Sequence, residues 1–216
     1  MSEREILTLE EVNDFLKYLK TFIIDINVCS DNIEQIISAQ ESINLIPIQS
    51  FLGHYVYLAY SQCAINAYKI FHNGEKRSFF KLFNKIRDFN YSPELRQHLS
   101  DNLTKNDNLI TNKSEFKDLA DELTKMIESK SALIEKIKDR RLTFYAHSDP
   151  TKKVKPETLV EIKELLEFSK DIYNIFYGKF NSTTFFFDTN LASINNVLDD
   201  RKFKDDYLKE REQNLY

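Results

Sequence analysis

The scarcity of turn-forming residues is the sequence feature that most limits how this chain can fold. Its 216 residues include three glycines and four prolines, whereas a fold of many short strands needs turn formers at frequent intervals. The chain is therefore suited to a few long elements. Apolar residues recur every three or four positions along most of it, which is the period of an amphipathic helix. We expect an all-α fold in a single domain of residues 1–216.

Capping signals and prolines divide the N-terminal part into helices. A capping box at Thr8 begins a first amphipathic helix, which is predicted to end near Asn27. A second, shorter helix is predicted to begin at Ser30 or Asp31 and to end at Pro47.

The most apolar segment is residues 47–74, which carry few charges and have apolar residues on most faces. This pattern predicts a central helix that is enclosed by others. A short amphipathic helix is predicted for "SFFKLFNKIRDFN", and Ser92 followed by Pro93 begins the next one. Residues 100–112 are predicted to form a loop or an irregular short turn.

A regular apolar stripe begins after Ser114 and predicts one long helix that ends before Pro150. Its members alternate steps of four and three, so they share one face. They are Leu119, Leu123, Met126, Lys130, Leu133, Ile137, Arg140, Phe144 and His147. Arg141 would lie about 120° from His147 on an ideal helix. A cation on a buried stripe costs free energy unless it is paired, so the arginines either form a site or lie beyond the end of the buried stripe.

Two more helices are predicted in the C-terminal part. Apolar residues at helical spacing predict one for residues 156–176, and a final helix over residues 189–214 becomes rich in charge towards its end.

Positive charge is concentrated around the two arginines. Residues 130–155 contain eight Lys or Arg against three Asp or Glu, in a chain whose net charge is −4. The overall charge argues against sequence-independent binding of duplex nucleic acid over the whole surface. A solvated helix face followed by a basic loop is the alternative explanation of this run.

Several common chemistries are excluded by the residues available. The glycines are scattered, so the chain has no phosphate-binding glycine-rich loop. Glu-x-x-His and His-Glu-x-x-His are absent, and Cys29 and Cys63 lie in apolar surroundings that predict free, buried thiols. We therefore expect no metal and no cofactor. No apolar run approaches the roughly 20 residues that span a bilayer, and the N-terminus lacks the apolar core of a signal peptide, so we expect a cytoplasmic protein without membrane contact.

An arginine and a histidine on one helix face are sufficient for cleaving RNA without a metal ion. The guanidinium can bind a phosphate and stabilise the charge of the pentavalent transition state. The imidazole, with an ordinary pKa of about 6.5, can move a proton between the 2′-hydroxyl and the leaving 5′-oxygen. One helix supplies one such pair, so two copies meeting in a dimer would supply both an acid and a base.

The stretch "RRLTFYAHSDP" resembles the Arg-x(4 to 6)-His signature of the HEPN superfamily, the helical "higher eukaryotes and prokaryotes nucleotide-binding" domains. "YAHSD" and the upstream "YLAYSQCAINAYKIF" are similar to the abortive-infection, AbiU-like branch, which is associated with phage defence. The resemblance covers about residues 51–176. It implies an antiparallel bundle of four to five core helices, to which helices in residues 8–46 and 189–214 are added here.

The resemblance also implies a function. Catalytically competent members of the superfamily are homodimers with the motif at the interface, and they act as metal-independent endoribonucleases in phage-defence or toxin-antitoxin systems. Their products would carry a 2′,3′-cyclic phosphate and a 5′-hydroxyl. The implied partners are RNA, a second copy of the chain, and an antitoxin or nucleotidyltransferase-type protein.

The candidate catalytic residues follow from the same resemblance. His147 matches the family histidine, and the family arginine is Arg141, with five intervening residues, or Arg140, with six. Members usually have a polar residue after the arginine, and this favours Arg140 because Leu142 follows Arg141. Both arginines are kept as candidates.

The residues around the motif supply candidate supporting roles. Tyr145, Lys152 and Lys153 are the candidate RNA contacts. Some toxin members have a tyrosine two residues after the histidine, where a nucleotidyltransferase modifies and silences them. This chain has Asp149 there, so regulation by that route is not expected. Asp149 would instead orient His147 or cap the turn before the following proline, and capping is the commoner role of such an aspartate.

Two alternatives to catalysis remain open. In the first, the chain is a non-catalytic helical module that dimerises and binds RNA, a nucleotide or a protein through the same surface. In a purely structural interpretation, Arg140 and Arg141 pair with acidic residues and His147 caps the helix. Ion pairs or divergent directions at the arginines would favour the structural interpretation.

Overall fold

The structure is a computed structural model, and it describes residues 5–39, 49–105, 108–141 and 157–187. Within these ranges the chain is mostly helical, as the sequence predicts. The elements in chain order are β1 (Ile6–Leu7), α1 (Leu9–Ser38), α2 (Gln49–Phe71), α3 (Phe79–Asp88), β2 (Asn90–Tyr91), α4 (Pro93–Asp101), a 3₁₀ helix (Asn102–Thr104), α5 (Lys113–Glu128), α6 (Ser131–Arg140) and α7 (Leu159–Asn181). The predicted helix at residues 189–214 lies outside the described residues.

The first helix is longer than the sequence predicts. It begins at the Thr8 cap, whose side chain accepts from the Glu11 N–H, but it continues through the predicted break as far as Ser38. Ser30 begins no new helix, because its Oγ donates to the carbonyl of Asn27 at 3.0 Å within α1. The Asn27 amide in turn donates to the Phe187 carbonyl at 3.1 Å. These polar residues resemble a cap in the sequence, yet they are buried and bonded to neighbouring parts of the fold.

The predicted long helix from Ser114 to Pro150 is interrupted within the described residues, which form two helices, α5 and α6. The part of this prediction beyond Arg141 lies outside the described residues. The Ser129 hydroxyl donates to the Met126 carbonyl at 2.6 Å, and Lys130 leaves the helical conformation with φ −102° and ψ 12°. The two helices also pack on different partners, because α5 contacts α3 and α6 contacts α2. Arg140 and Leu119 therefore do not share one helix face.

The second helix is enclosed only in part. Its C-terminal half is buried from Cys63 onwards, as a central helix would be. In its N-terminal half, Phe51, Tyr57 and Leu58 are exposed by 65%, 52% and 51%. The expectation that others enclose the whole helix is therefore wrong for this half.

The core is built around α1, α2 and α7, with α3 and α5 packed together beside them. Four phenylalanine rings join α3, α5 and α7 at centroid separations between 5.3 and 5.9 Å: Phe83, Phe116, Phe176 and Phe180. Aromatic rings at these distances stabilise a core beyond the area that they bury.

Shorter features hold the ends of the helices. The predicted cap at Ser92 is confirmed, and Ser78 caps α3 in the same way; each side chain accepts from a backbone N–H of the first helical turn. A two-residue parallel pairing of β1 with β2 was not predicted. The predicted loop at 100–112 includes a 3₁₀ turn, in which the buried Asn102 amide donates to the Ile110 carbonyl at 3.0 Å.

Candidate functional site

The two candidate arginines lie at the C-terminal end of α6, where this helix packs on α2 and lies beside the start of α7. Ile137 anchors α6 because its side chain is buried in the core. Lys136 ties α6 to the first turn of α7, since its Nζ lies 2.6 Å from Oε1 of Glu161. Glu161 also completes the capping box with Thr158. The position of the arginines is therefore fixed by packing and by an ion pair between helices.

Arg140 forms an ion pair with Glu157, the residue before the α7 cap. Its Nε lies 3.6 Å from Oε2 of Glu157. The Glu157 side chain is fully buried, and that of Arg140 is 17% exposed. A buried carboxylate needs a nearby cation, because leaving water is costly for an isolated charge. Arg140 thus stabilises the junction between α6 and α7.

Tyr60 of α2 holds the backbone of the same glutamate. Its hydroxyl donates to the Glu157 carbonyl at 3.0 Å. Burial, with a further contribution from the nearby Glu157 carboxylate, raises the pKa of Tyr60 to about 12. The phenol is therefore neutral over the physiological range and keeps the proton that it donates.

Arg141 contacts a different part of α2. Its guanidinium carbon lies 4.4 Å from the centre of the Tyr68 ring. Tyr68 is buried and stacks on His72, with ring centroids 4.4 Å apart and an 18° angle between the planes. His72 is held in turn by the Gly74 N–H, which donates to its Nδ1 at 3.1 Å. The ring under Arg141 is thus a rigid support.

Most of the described positive charge near the site is balanced by carboxylates. Four basic residues between positions 130 and 140 have a glutamate partner: Lys130 with Glu164, Lys136 with Glu161, Lys138 with Glu135, and Arg140 with Glu157. In the part of the chain that the structure describes, Arg141 makes no ion pair and is partly exposed. Among the described residues, Arg141 is therefore the cation at this end of α6 that has no carboxylate partner.

The structure describes two of the predicted site residues. Arg140 and Arg141 are adjacent but contact different groups, a buried carboxylate and an aromatic ring. The other predicted residues lie outside the described residues: Tyr145, His147, Asp149, Lys152 and Lys153.

Sequence reasoning did not find Glu157, Tyr60 or Tyr68. Glu157 precedes a capping threonine and is typical of an acidic helix start, whereas the tyrosines look like members of an apolar helix. The sequence signal that pointed to Glu157 was Arg140 on the predicted buried stripe, because a buried cation requires an acidic partner.

A comparison with protein-family models, with curated proteins and with solved structures found no match to this chain. Among the described residues, no three His, Cys, Asp or Glu side chains are grouped so that they could hold a metal ion. None of the described helices is long and apolar enough to cross a membrane.

Proposed function

We propose that this chain is a HEPN-type helical bundle that cleaves RNA without a metal ion, by attack of a ribose 2′-hydroxyl on the adjacent phosphate. The observation that carries the proposal is the environment of Arg141. Its guanidinium lies over the Tyr68 ring and has no carboxylate partner in the described part of the chain. A guanidinium held over an aromatic ring by a cation–π contact can still donate N–H groups in the fork geometry that suits bidentate binding of phosphate.

The two arginines have different roles in this proposal. Arg141 binds the scissile phosphate and stabilises its charge in the transition state. Arg140 acts as a positioning residue, because its ion pair with Glu157 fixes the end of α6 against the start of α7. This assignment differs from the preference of the sequence pattern for Arg140.

His147 is the proposed proton carrier. In one copy it accepts the proton of the 2′-hydroxyl as the 2′-oxygen attacks phosphorus. In the partner copy it donates a proton to the departing 5′-oxygen, so that the products end in a 2′,3′-cyclic phosphate and a 5′-hydroxyl. Tyr145, Lys152 and Lys153 contact the RNA, and Asp149 supports His147 or the following turn.

The proposal requires a homodimer, and the exposed half of α2 supports one. Phe51 and Leu58 lie two turns apart on one face of this helix and are each more than half exposed. Exposed apolar patches of this kind mark surfaces that bind another protein. The biological setting in the proposal is a cytoplasmic phage-defence or toxin-antitoxin system, with an antitoxin-type protein as a further partner.

A second candidate is a non-catalytic helical module that dimerises and binds RNA, a nucleotide or a protein partner. The ion pair of Arg140 with the buried Glu157 favours the purely structural interpretation for that arginine, and in this candidate Arg140 keeps that structural role without taking part in catalysis.

Cleavage of labelled RNA by the purified chain in excess EDTA distinguishes the two candidates. The variants are His147→Ala, Arg141→Ala and, as a matched control, Lys138→Ala, which removes a cation of the same helix that pairs with Glu135. We expect cyclic-phosphate ends from the wild type and from Lys138→Ala, and at least about a hundredfold slower cleavage by the other two. The catalytic candidate is contradicted if the His147→Ala variant still cleaves RNA. It is also contradicted if the wild type cleaves none of several classes of RNA.

A further inference from the structure

The two cysteines of the chain face each other across the interface of α1 and α2. Cys63 of α2 is fully buried, and its Sγ lies 3.7 Å from the carbonyl oxygen of Ile26 in α1. Cys29 lies one turn after Ile26 on the same helix face. A helical side chain leans towards the N-terminal turn of its own helix, so the Cys29 thiol is directed at the place that Cys63 occupies. This placement brings the two thiols close to each other at the interface.

The two thiols differ in exposure and acidity. Cys29 is partly exposed, whereas Cys63 is buried, and both are free. The neighbouring Cys63 thiol lowers the pKa of the Cys29 thiol, against the opposing effects of burial and of Asp25. The contact with Cys29 and burial raise the pKa of Cys63. An accessible thiol with a lowered pKa beside a second thiol is the arrangement of redox-sensing cysteines.

The surroundings of the pair are polar on one side. Asp25 lies one turn before Cys29, and the Asn66 amide of α2 donates to its Oδ2 at 3.4 Å. Asn66 is fully buried, and in the described part of the chain its Oδ1 has no hydrogen-bond partner. This part of the interface therefore offers polar groups to a small polar reagent rather than a closed apolar surface.

We propose that Cys29 and Cys63 form a reversible redox site, in which a hydroperoxide converts the two thiols into an intramolecular disulfide that joins α1 to α2. The Cys29 thiolate attacks the terminal peroxide oxygen, the O–O bond breaks, and water or an alcohol leaves. The sulfur of the resulting Cys29 sulfenic acid is attacked by Cys63, which loses its proton as water departs. Two electrons pass from the two sulfurs to the peroxide, and a thiol reductant reverses the reaction.

The position of the disulfide gives it a consequence for α2. Cys63 lies between Tyr60, which holds the Glu157 backbone, and Tyr68, which supports Arg141. A covalent link at Cys63 would fix α2 to α1 between these two contacts. This regulatory consequence depends on the proposed function, whereas the oxidation itself does not.

The test is to treat the reduced, folded chain with hydrogen peroxide, to measure its intact mass and to identify the linked peptides. We expect the loss of two hydrogen atoms, one peptide pair joining Cys29 to Cys63, and full reversal by dithiothreitol. Cys63→Ala should leave a Cys29 sulfenic acid that dimedone traps. Cys29→Ser should leave Cys63 unmodified, because Cys63 is buried.

Three outcomes would overturn the proposal: both thiols remain free under peroxide, the disulfide joins Cys29 residues of two chains, or Cys63 is oxidised as readily in Cys29→Ser. None of these readouts uses RNA. A chain that forms the disulfide but cleaves no RNA would contradict the proposed function alone.

Discussion

Arg140 and Glu157 form a buried ion pair in which Nε of the arginine lies 3.6 Å from Oε2 of a glutamate with no exposed side-chain area. An amphipathic pattern alone does not explain why a charged residue is buried at either position. Each is explained by the other, because a carboxylate at this depth requires a cation.

Removing the cation of this pair should destabilise the fold. We expect Arg140→Met to lower the free energy of unfolding by about 3 kcal/mol, because it leaves the Glu157 carboxylate buried without its cation. The double variant Arg140→Met/Glu157→Gln should recover more than half of that loss. Lys138→Ala, at a surface pair, should change stability by less than about 1 kcal/mol. Urea unfolding measures all three, and equal effects of Arg140→Met and Lys138→Ala would contradict the assignment.

Removing the cation over Tyr68 should affect RNA binding more than stability. Arg141→Ala should cost about 1 kcal/mol or less of unfolding free energy, since the lost contact is a cation–π interaction. Its affinity for a 2′-O-methyl RNA should fall, and the slope of log affinity against log salt should decrease by about 0.7, the value for one phosphate contact on a single strand. Fluorescence anisotropy at several salt concentrations measures both the affinity and this slope. An unchanged slope would mean that Arg141 does not contact phosphate.

The partly buried Tyr60 phenol should make stability depend on alkaline pH. Its folded pKa of about 12 is above the ordinary value of a tyrosine, about 10, chiefly because of burial. A raised folded pKa contributes stability that is fully present below pH 10 and is lost between pH 10 and 12, as the unfolded chain ionises first. Tyr60→Phe should reduce the loss of unfolding free energy across this window. The same pH dependence in the wild type and in Tyr60→Phe would show that Tyr60 is not its source.

The exposed half of α2 should carry the dimer contact. Phe51→Asp and Leu58→Asp place a charge on side chains that are 65% and 51% exposed, so the folded chain should tolerate them. We expect both to shift the sedimentation equilibrium from dimer towards monomer. Leu103→Asp is a matched control, because Leu103 is 64% exposed in the 3₁₀ helix. A wild type that is monomeric, or a dimer unaffected by both α2 changes, would contradict this surface.

Local signals predicted much of the helical part of the fold. Thr8, Ser78 and Ser92 each cap a helix where the sequence places one, because a capping side chain bonds within its own first turn. The predicted boundary near Ser30 was wrong, and the boundary near Ser129 was missed, for the opposite reason. Whether a serine begins a helix, bonds back inside one, or interrupts one depends on which helices pack against it, and that is not a local property.

The sequence predicted the arginines of the candidate site but not the residues that they contact. The sequence located Arg140 and Arg141 and the charge around them, because these features are contiguous in the chain. It did not show that Arg140 pairs with Glu157 or that Arg141 stacks on Tyr68, since these contacts join α6 to residues far away in sequence. The ranking of the two arginines by helix face therefore could not include what each one contacts.

The identity of the cleaved RNA ends tests the central claim most directly. One RNA is prepared both in its natural form and with 2′-O-methyl groups throughout, and each is treated with the wild-type chain in excess EDTA. We predict that only the natural RNA is cleaved, leaving 2′,3′-cyclic phosphate and 5′-hydroxyl ends. Cleavage of the methylated RNA, ends that carry a 3′-hydroxyl, or an intact natural RNA would contradict attack by the 2′-hydroxyl.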